Sequence, residues 1–242
     1  MSLQFSKANA KLKKLVKMVL PSELQGLKVA HIVSFALPAF KSADGFKVCP
    51  GAGACAAVCY ARQGAYTWKA ATTLRENNLE ALRGMLATHS PRALAVALLA
   101  ALPKSARVVR VHDSGDFFSQ SYLDAWCLVA SKRPGIIFYA YTKSFDLDFS
   151  AVPSNLRITF SEGSMYDAEL DKAARRWGFG RSRIFATAED RNVAGYIDGD
   201  SSDLPAIMGE DKIGFVYHGV RKLTPAQIKA FGATDAERLV AV

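Results

Sequence analysis

Short apolar runs rich in β-branched and aromatic residues alternate along this chain with longer segments of helical periodicity. The apolar runs predict six strands, at Val29–Phe35, Arg107–Val111, Ile136–Tyr141, Leu156–Phe160, Arg183–Ala186 and Gly214–Tyr217. The periodic segments predict helices near Thr67–Ala87, Pro91–Ala100, Gln120–Ser131, Asp167–Trp177 and Pro225–Phe231. Strands that alternate with helices are typical of an α/β fold with a parallel sheet.

Polar residues occupy alternate positions of several predicted strands, which is unusual in a sheet that is buried on both faces. They are Arg110, His112 and Ser114, then Tyr139, Tyr141 and Lys143, then Arg157, Thr159 and Ser161. If they share one lumen, they line a polar cavity at the carboxyl ends of the strands. We therefore expect a single-domain, partial or complete TIM-like (β/α) barrel of about six parallel strands. An open doubly wound sheet is the alternative.

Length and charge indicate the size of the core and the character of the N-terminal segment. The chain has 242 residues, half of them hydrophobic, which is enough for a large core. We expect a basic N-terminal helical segment at 1–28 and a barrel domain that carries a metal cluster at 29–242. The net charge is +9, and the N-terminal segment carries lysines with no acid among its first twenty residues: Lys7, Lys11, Lys13, Lys14 and Lys17. This segment is either a nucleic-acid contact or the solvated face of a docked helix.

No segment of the sequence resembles a membrane or export signal. The basic N-terminus is followed by neither an apolar stretch nor a cleavage site. The longest apolar run, Ala93 to Leu102, is too short to cross a bilayer. We expect no membrane partner and a cytoplasmic protein.

Three of the four cysteines, Cys49, Cys55 and Cys59, fall within eleven residues. On a helix, Cys55 and Cys59 would share one face, and glycines at 51 and 53 would let Cys49 fold back to the same point. Clustered thiolates favour an iron–sulfur cluster or zinc. Because a cubane cluster usually takes four cysteines, three would leave one iron open.

Other interpretations of the cysteines remain. A zinc site would take a histidine as fourth ligand, from His31, His112 or His218. A disulfide, or three inert buried thiols, would need no metal. Cys127 lies in an apolar helical segment and is expected in the core.

A second motif, Arg110-Val-His112-Asp113-Ser-Gly115-Asp116, ends the predicted second strand, and Ser119 is a candidate N-cap for the following helix. Its carboxylates and histidine could bind an amine, orient a metal ligand or move a proton. Alternatively, they form a polar turn. Later strands end in further polar groups, including Lys143 and Glu162, which suggests a rim that binds a small polar molecule. The sequence has no Walker loop, GxGxxG, HExxH or GxSxG motif.

The cysteine segment, the Asp-Ser-Gly-Asp motif, the run from Ser34 to Ala39 and the run from Phe138 to Ser144 together resemble the gene product 88-like bacteriophage proteins. More distantly, the arrangement is similar to the partial barrel of radical S-adenosylmethionine (SAM) enzymes. That similarity implies a [4Fe–4S] cluster on the three cysteines. It also implies a site for the SAM amino group at Gly115 and Asp116, with Asp113 nearby. The spacing here, Cys-x5-Cys-x3-Cys, departs from the usual Cys-x3-Cys-x2-Cys of those enzymes.

The sequence thus predicts an iron–sulfur protein, in its sharpest form a radical-SAM-like redox enzyme acting on an unknown substrate. His112, Lys143, Glu162 and Arg110 are the candidate catalytic or substrate-side residues. One alternative is a non-catalytic iron–sulfur binding or sensing protein, associated with nucleic acid through its N-terminus. The second alternative is a structural barrel stabilised by zinc.

Overall fold

A computed structural model describes residues 2–57, 59–88 and 90–217 of the chain. Its strands are β1 (Ser6–Lys7), β2 (Ile32–Phe35), β3 (Val108–Val111), β4 (Ile137–Thr142), β5 (Leu156–Ser161), β6 (Gly180–Phe185), β7 (Ile197–Asp198) and β8 (Lys212–Val216). Its α-helices are α1 (Ala10–Lys14), α2 (Lys69–Thr88), α3 (Pro91–Ala101), α4 (Gln120–Ser131), α5 (Leu170–Trp177), α6 (Ala188–Val193) and α7 (Leu204–Met208).

All six predicted strands are present, and four of the five predicted helices fall on observed ones. The fifth helix, Pro225–Phe231, lies outside the described residues. The Gln120–Ser131 helix begins where its cap predicts, because the Ser119 hydroxyl accepts a hydrogen bond from the Tyr122 backbone N–H. The predicted N-terminal helix is shorter than expected: α1 is followed only by single 3-10 turns.

The strands form one eight-stranded sheet in the order β1-β2-β3-β4-β5-β6-β8-β7. Among the strands of the described ranges, β1 is antiparallel to its neighbour and the other pairs are parallel. From β2 to β6 the order follows the chain and does not reverse, so the doubly wound alternative does not apply.

The predicted TIM-like barrel is not confirmed, because the sheet is open. Within the described residues, β1 pairs only with β2 and β7 only with β8, so no ladder joins the two ends. α1, its following turns and α7 pack on one face of the sheet, so this face is covered by other elements and is not the lumen of a barrel. The fold is therefore a mixed α/β protein with one open, mostly parallel sheet.

Two apolar clusters cover the two faces of this sheet. On the first face, α2 to α5 cover the side chains of β2 to β5 that point toward these helices, including Phe35, Val111, Phe138 and Phe160. On the opposite face, which we call the α1–α7 face, Leu12, Leu15, Ala206 and Ile207 pack over Ile32, Val108, Tyr139 and Ile213. The predicted alternation is thus real: Arg110 and Tyr139, neighbours in the β3–β4 register, belong to the α1–α7 face.

No helix in the described ranges is long and apolar enough to span a membrane.

Candidate functional site

The cysteine segment lies across the carboxyl ends of β4 and β5. The Gly51 carbonyl accepts hydrogen bonds from the Met165 backbone N–H and the Ser164 hydroxyl, both at 2.9 Å. The backbone N–H groups of Gly53 and Cys55 donate to the Gly163 carbonyl at 3.0 and 3.2 Å. Because the loop after β5 supplies all of these partners, the segment is fixed to the edge where ligand sites of parallel sheets collect.

Gly51 and Gly53 are required by this docking because the backbones approach very closely. A Cβ atom on Gly51 would lie 2.0 Å from the Lys143 carbonyl oxygen. A Cβ atom on Gly53 would lie 2.7 Å from the Met165 backbone nitrogen. No side chain fits at either position unless the loops separate, so the glycines serve close packing here.

The three clustered cysteines carry free, half-buried thiols. Burial raises the pKa of each thiol, and at Cys49 the nearby Asp116 carboxylate and the two other cysteines raise it further. Lys143 partly offsets burial at Cys55 and Cys59. The thiols are therefore close enough to influence one another, and their protonated form is favoured at neutral pH.

The prediction of an iron–sulfur protein is wrong. Among the residues that the structure describes, no group of three or more His, Cys, Asp or Glu side chains is arranged to hold a metal ion. The reason lies in the backbone: Cys55 is on a 3-10 turn, Ala54–Ala57, and Cys59 precedes a separate turn, Tyr60–Arg62. The two residues therefore do not share the helix face that their spacing predicts. Within the described ranges, the same finding gives no support to the zinc-stabilised barrel or to the non-catalytic iron–sulfur alternative. His218, one of the three candidate zinc ligands, lies outside those ranges.

Asp116 joins the loop after β3 to the end of β4. One carboxylate oxygen, Oδ1, accepts from the Phe117 backbone N–H at 2.7 Å and from the Thr142 hydroxyl at 2.6 Å. The other, Oδ2, accepts from the Lys143 backbone N–H at 2.9 Å. Burial raises the pKa of Asp116 to about 6, although these hydrogen bonds favour the ionised form. The carboxylate is thus already engaged by the protein.

Gly115 and His112 also have structural partners. Gly115 has φ +89°, and a Cβ atom there would lie 2.6 Å from Leu37 Cβ. His112 turns from the strand end onto the face covered by α2 to α5, where its Nε2 lies 3.0 Å from the Tyr122 hydroxyl. Burial lowers the pKa of His112 to about 3, so the imidazole is neutral. Neither residue contributes a free group to the carboxyl-end surface. The cofactor role of Gly115 and Asp116 stays a prediction.

Lys143 and Glu162, two further candidates, are occupied at the same edge. The Lys143 ammonium donates to the Glu162 carbonyl at 2.8 Å and also contacts the Ser161 hydroxyl. The Glu162 carboxylate forms an ion pair with Arg183. These contacts stabilise the end of β5, and a catalytic role for either side chain stays a prediction.

Arg110 lies at the centre of a buried polar network on the α1–α7 face. Its guanidinium donates to Asp203 at 3.1 Å, and the Tyr139 hydroxyl donates to the same carboxylate at 2.7 Å. The Lys11 ammonium forms an ion pair with Asp203 at 2.5 Å. Burial opposes ionisation of Asp203, but the two cations outweigh it and lower the pKa. The network ties β3, β4, α1 and the start of α7 together.

A chain of aromatic contacts leads from Arg110 to the surface. The Arg110 guanidinium donates to the Tyr60 hydroxyl at 3.3 Å, and that hydroxyl donates to the Asp113 carbonyl at 2.7 Å. The Tyr60 ring meets the Tyr66 ring edge-to-face at 5.4 Å, and the Arg75 guanidinium lies 4.8 Å from the Tyr66 ring centre. Burial, assisted by the Asp113 carboxylate, raises the pKa of Tyr66 to about 12.

This series of contacts, from Arg110 through Tyr60 and Tyr66 to Arg75, ends at a surface groove of about 280 Å³. The loop after β2, the segment after the cysteines and the first turns of α2 form its walls. Three cations and one acid are among its lining residues: Lys41, Arg62, Arg75 and Glu76. We call this feature the basic groove. Glu76 accepts a hydrogen bond from the Ala43 backbone N–H at 2.9 Å, which fixes the acid to the groove wall.

Two buried polar atoms near the groove lack a partner. Arg75 is 9% exposed and donates through Nη1 to the Tyr66 carbonyl at 2.7 Å, but its Nε has no hydrogen-bond partner within the described part of the chain. Oδ1 of Asp113, on a side chain that contacts Tyr66, is also without one among these residues. Buried polar atoms are normally paired, so each requires a water molecule or a ligand.

Several of these residues were not predicted from sequence. Tyr60, Tyr66 and Arg75 lie outside the metal and strand-end motifs, and Asp203 lies almost one hundred positions from Arg110. The run Cys59-Tyr60-Ala-Arg62 places an aromatic and a basic residue directly after the cysteines, and that was the available signal.

These features define an α/β protein with an open sheet, a cysteine segment over the strand ends and a basic groove beside it. The chain belongs to the Gene product 88 family, which matches residues 3–239. The Gene 88 protein of Mycobacterium phage L5 is 32% identical over 137 residues, which cover 48% of this chain and 57% of that protein. The Gene 88 protein of Mycobacterium phage D29 is 32% identical over 143 residues, 50% of this chain and 59% of that protein.

The chain thus spans less than two thirds of the length of these curated relatives. No solved structure matches it. The comparisons confirm the phage family predicted from the motifs. They give no support to the similarity with radical SAM enzymes.

Proposed function

We propose that this protein binds a small polar molecule through an acidic group, a phosphate or a carboxylate, in the basic groove. The observation that carries the proposal is Arg75, whose side chain is buried in the groove wall with an unpartnered Nε donor. An unpaired buried donor costs about 1–3 kcal/mol, and more when it is charged. An anion that accepts this hydrogen bond would remove that cost.

The electrostatics of the groove favour the same ligand class. Lys41 and Arg62 are exposed at the rim, so they can reach an anion without first giving up buried partners. The one acid in the lining, Glu76, is engaged by a backbone N–H. Guanidinium groups bind phosphates and carboxylates through paired, charge-assisted hydrogen bonds.

The position and size of the groove also support ligand binding. It lies at the carboxyl end of β2, where ligands of open α/β sheets collect. Its volume of about 280 Å³ is close to the lower end of small-molecule sites, roughly 300–1,000 Å³. Asp113, which contacts Tyr66 from the inner side, offers an unpartnered acceptor for a donor group on the ligand.

Binding is favoured over catalysis by the state of the acid–base candidates. His112 is buried, neutral and paired with Tyr122. Asp116 accepts three hydrogen bonds, and Glu162 is paired with Arg183. A general acid or base must reach the proton that it transfers, and these groups are directed toward the protein.

The N-terminal lysines contribute less to this argument. Lys11 turns inward to the buried Asp203, and Lys7, Lys13, Lys14 and Lys17 remain exposed. This arrangement favours the docked-helix interpretation over a nucleic-acid site built on one lysine face. SAM as a cofactor stays a prediction of the resemblance alone.

The test is thermal unfolding of the whole protein with inorganic phosphate and, separately, with succinate. At a ligand concentration about ten times Kd, binding stabilises the native state by about 1.4 kcal/mol. We expect Arg75→Gln and Arg62→Gln to remove the shift. Arg92→Gln, at an exposed arginine on α3, is the matched control.

Because Arg75 also supports the Tyr66 turn, the exposed Arg62 provides a second variant. The Arg62 guanidinium donates to the Ala56 carbonyl at 3.1 Å, so the unfolding of both variants is also measured without ligand. Absence of any shift in the unaltered protein, or a shift in the Arg62 and Arg75 variants as large as that of the unaltered protein, would overturn the proposal.

A further inference from the structure

We propose that the acidic group bound by the basic groove belongs to single-stranded nucleic acid, whose bases stack on Tyr60 and Trp68. This inference rests on the proposed function of the groove, and it names the kind of partner. It starts from two large aromatic side chains that the fold leaves at the surface: Trp68 is 69% exposed and Tyr60 is 55% exposed. Exposed rings that adjoin a polar site mark interaction surfaces more often than isolated apolar residues do.

The Tyr60 ring is held in place. Its hydroxyl is fixed by Arg110 and the Asp113 carbonyl, and one edge packs on Tyr66, which lines the groove. The residue is nevertheless exposed to solvent. A ring that is already immobile loses little entropy when a base stacks on it, which makes it a suitable platform.

Trp68 stands at the other end of the same short segment. It follows Thr67, which lines the groove, and its backbone carbonyl accepts from the Thr72 N–H at 3.0 Å as α2 begins. Tyr60 and Trp68 therefore flank a segment whose middle residues form a groove wall. Phosphate contacts between two stacking rings are the arrangement that single-stranded nucleic-acid sites use.

Charge supports this partner over an uncharged one. Lys41 and Arg62 line the groove, Lys69 follows Trp68 directly, and the chain as a whole has a net charge of +9. A basic surface with interleaved aromatic residues is the footprint expected of a nucleic-acid-binding protein. The rings favour a single strand, because paired bases are not free to stack on a protein side chain.

The experiment measures fluorescence anisotropy of a fluorescein-labelled 20-nucleotide oligothymidylate with the full chain, at several salt concentrations. Binding should weaken as salt rises, since phosphate contacts release counterions. Trp68→Ala should weaken binding roughly 5- to 100-fold through the lost stacking, and Trp68→Phe should retain most of it. Arg62→Gln should lower the salt dependence, and Arg92→Gln should leave it unchanged.

The outcomes separate this inference from the proposed function. If phosphate stabilises the protein but the oligonucleotide does not bind, or binds equally well to Trp68→Ala, the groove takes a free anion and the inference is overturned. If duplex DNA binds as tightly as the single strand, stacking is not the mode of recognition. If a triple Lys13→Gln, Lys14→Gln and Lys17→Gln variant loses binding and Trp68→Ala does not, the nucleic-acid site is the N-terminus. If neither phosphate nor oligonucleotide binds, both proposals fail together.

Discussion

Asp203 provides the strongest test of how the α1–α7 face is held together. Its carboxylate is completely buried at the start of α7 and receives Arg110, Tyr139 and Lys11. Substitution Asp203→Ala removes the carboxylate that Arg110, Tyr139 and Lys11 share. Asp203→Asn keeps the shape of the side chain and removes the charge.

The expected magnitude follows from the burial of the partners. Arg110 is 8% exposed, so its guanidinium has little access to water that could replace the carboxylate. Breaking a buried ion pair from one side costs about 3–5 kcal/mol, because the remaining charge stays uncompensated. Loss of the Tyr139 hydrogen bond adds about 1 kcal/mol. We expect a total of about 4–6 kcal/mol for Asp203→Ala. The loss for Lys11→Met should be smaller, since Lys11 is half-buried and can turn to solvent.

The assay is urea unfolding at pH 7, followed by tryptophan fluorescence and circular dichroism. The pH dependence is a second readout: the pKa of Asp203 is lower in the folded protein than in the unfolded chain. Its stabilisation is therefore complete above the unfolded pKa, about 3.9, and is lost as the pH falls through the lower folded value. Asp203→Asn should lack this loss. A cost below about 1 kcal/mol for Asp203→Ala, typical of an exposed pair, would refute the reasoning.

Three further predictions concern the carboxyl-end loops. Gly51→Ala should destabilise the native protein by about 1–3 kcal/mol in thermal unfolding, because its Cβ would meet the Lys143 carbonyl. The control Gly84→Ala should be neutral or stabilising, because the space around its Cβ is open. The deficit caused by Asp116→Asn should shrink by about 2.4 kcal/mol between pH 4 and pH 7, because a rise in pKa from 3.8 to about 6 makes native Asp116 destabilising as it ionises. A pH-independent deficit would contradict this. Iodoacetamide should modify Cys55 and Cys59 more slowly than free cysteine at pH 8, since burial raises the pKa of both thiols, and Gly51→Ala should accelerate the reaction. Equal rates for the folded and the urea-unfolded protein would show that the two thiols are not protected by burial.

The elements of the sheet could be predicted because each has a local signal. The apolar run at Val108–Val111 and the Ser119 cap before α4 are visible in a few consecutive residues. Closure of the sheet has no such signal, since it depends on what packs across the α1–α7 face. Leu12 and Ile207 look like ordinary apolar positions in short segments, yet together they fill that face.

The site was harder to predict because spacing was interpreted as helical geometry. Cys55 and Cys59 are four residues apart, but the 3-10 turns around them do not place the two side chains on one face. The motif at Asp116 was recognised, but its carboxylate binds the ends of neighbouring loops. Arg75 gave no signal at all, since its importance comes from burial beside Tyr66, which only the folded chain shows.

The strand order has a consequence for how the chain folds during synthesis. From β2 to β6 each new strand pairs with the strand made just before it, so this part of the sheet can grow as the chain leaves the ribosome. The other face cannot be completed in this way, because Arg110 must wait for Asp203, 93 positions later, and Lys11 waits longer still. Until α7 is made, the growing sheet lacks Ala206 and Ile207, which belong to the same apolar cluster as Tyr139 on β4. We therefore expect nascent chains that end before residue 203 to be the species most dependent on chaperones.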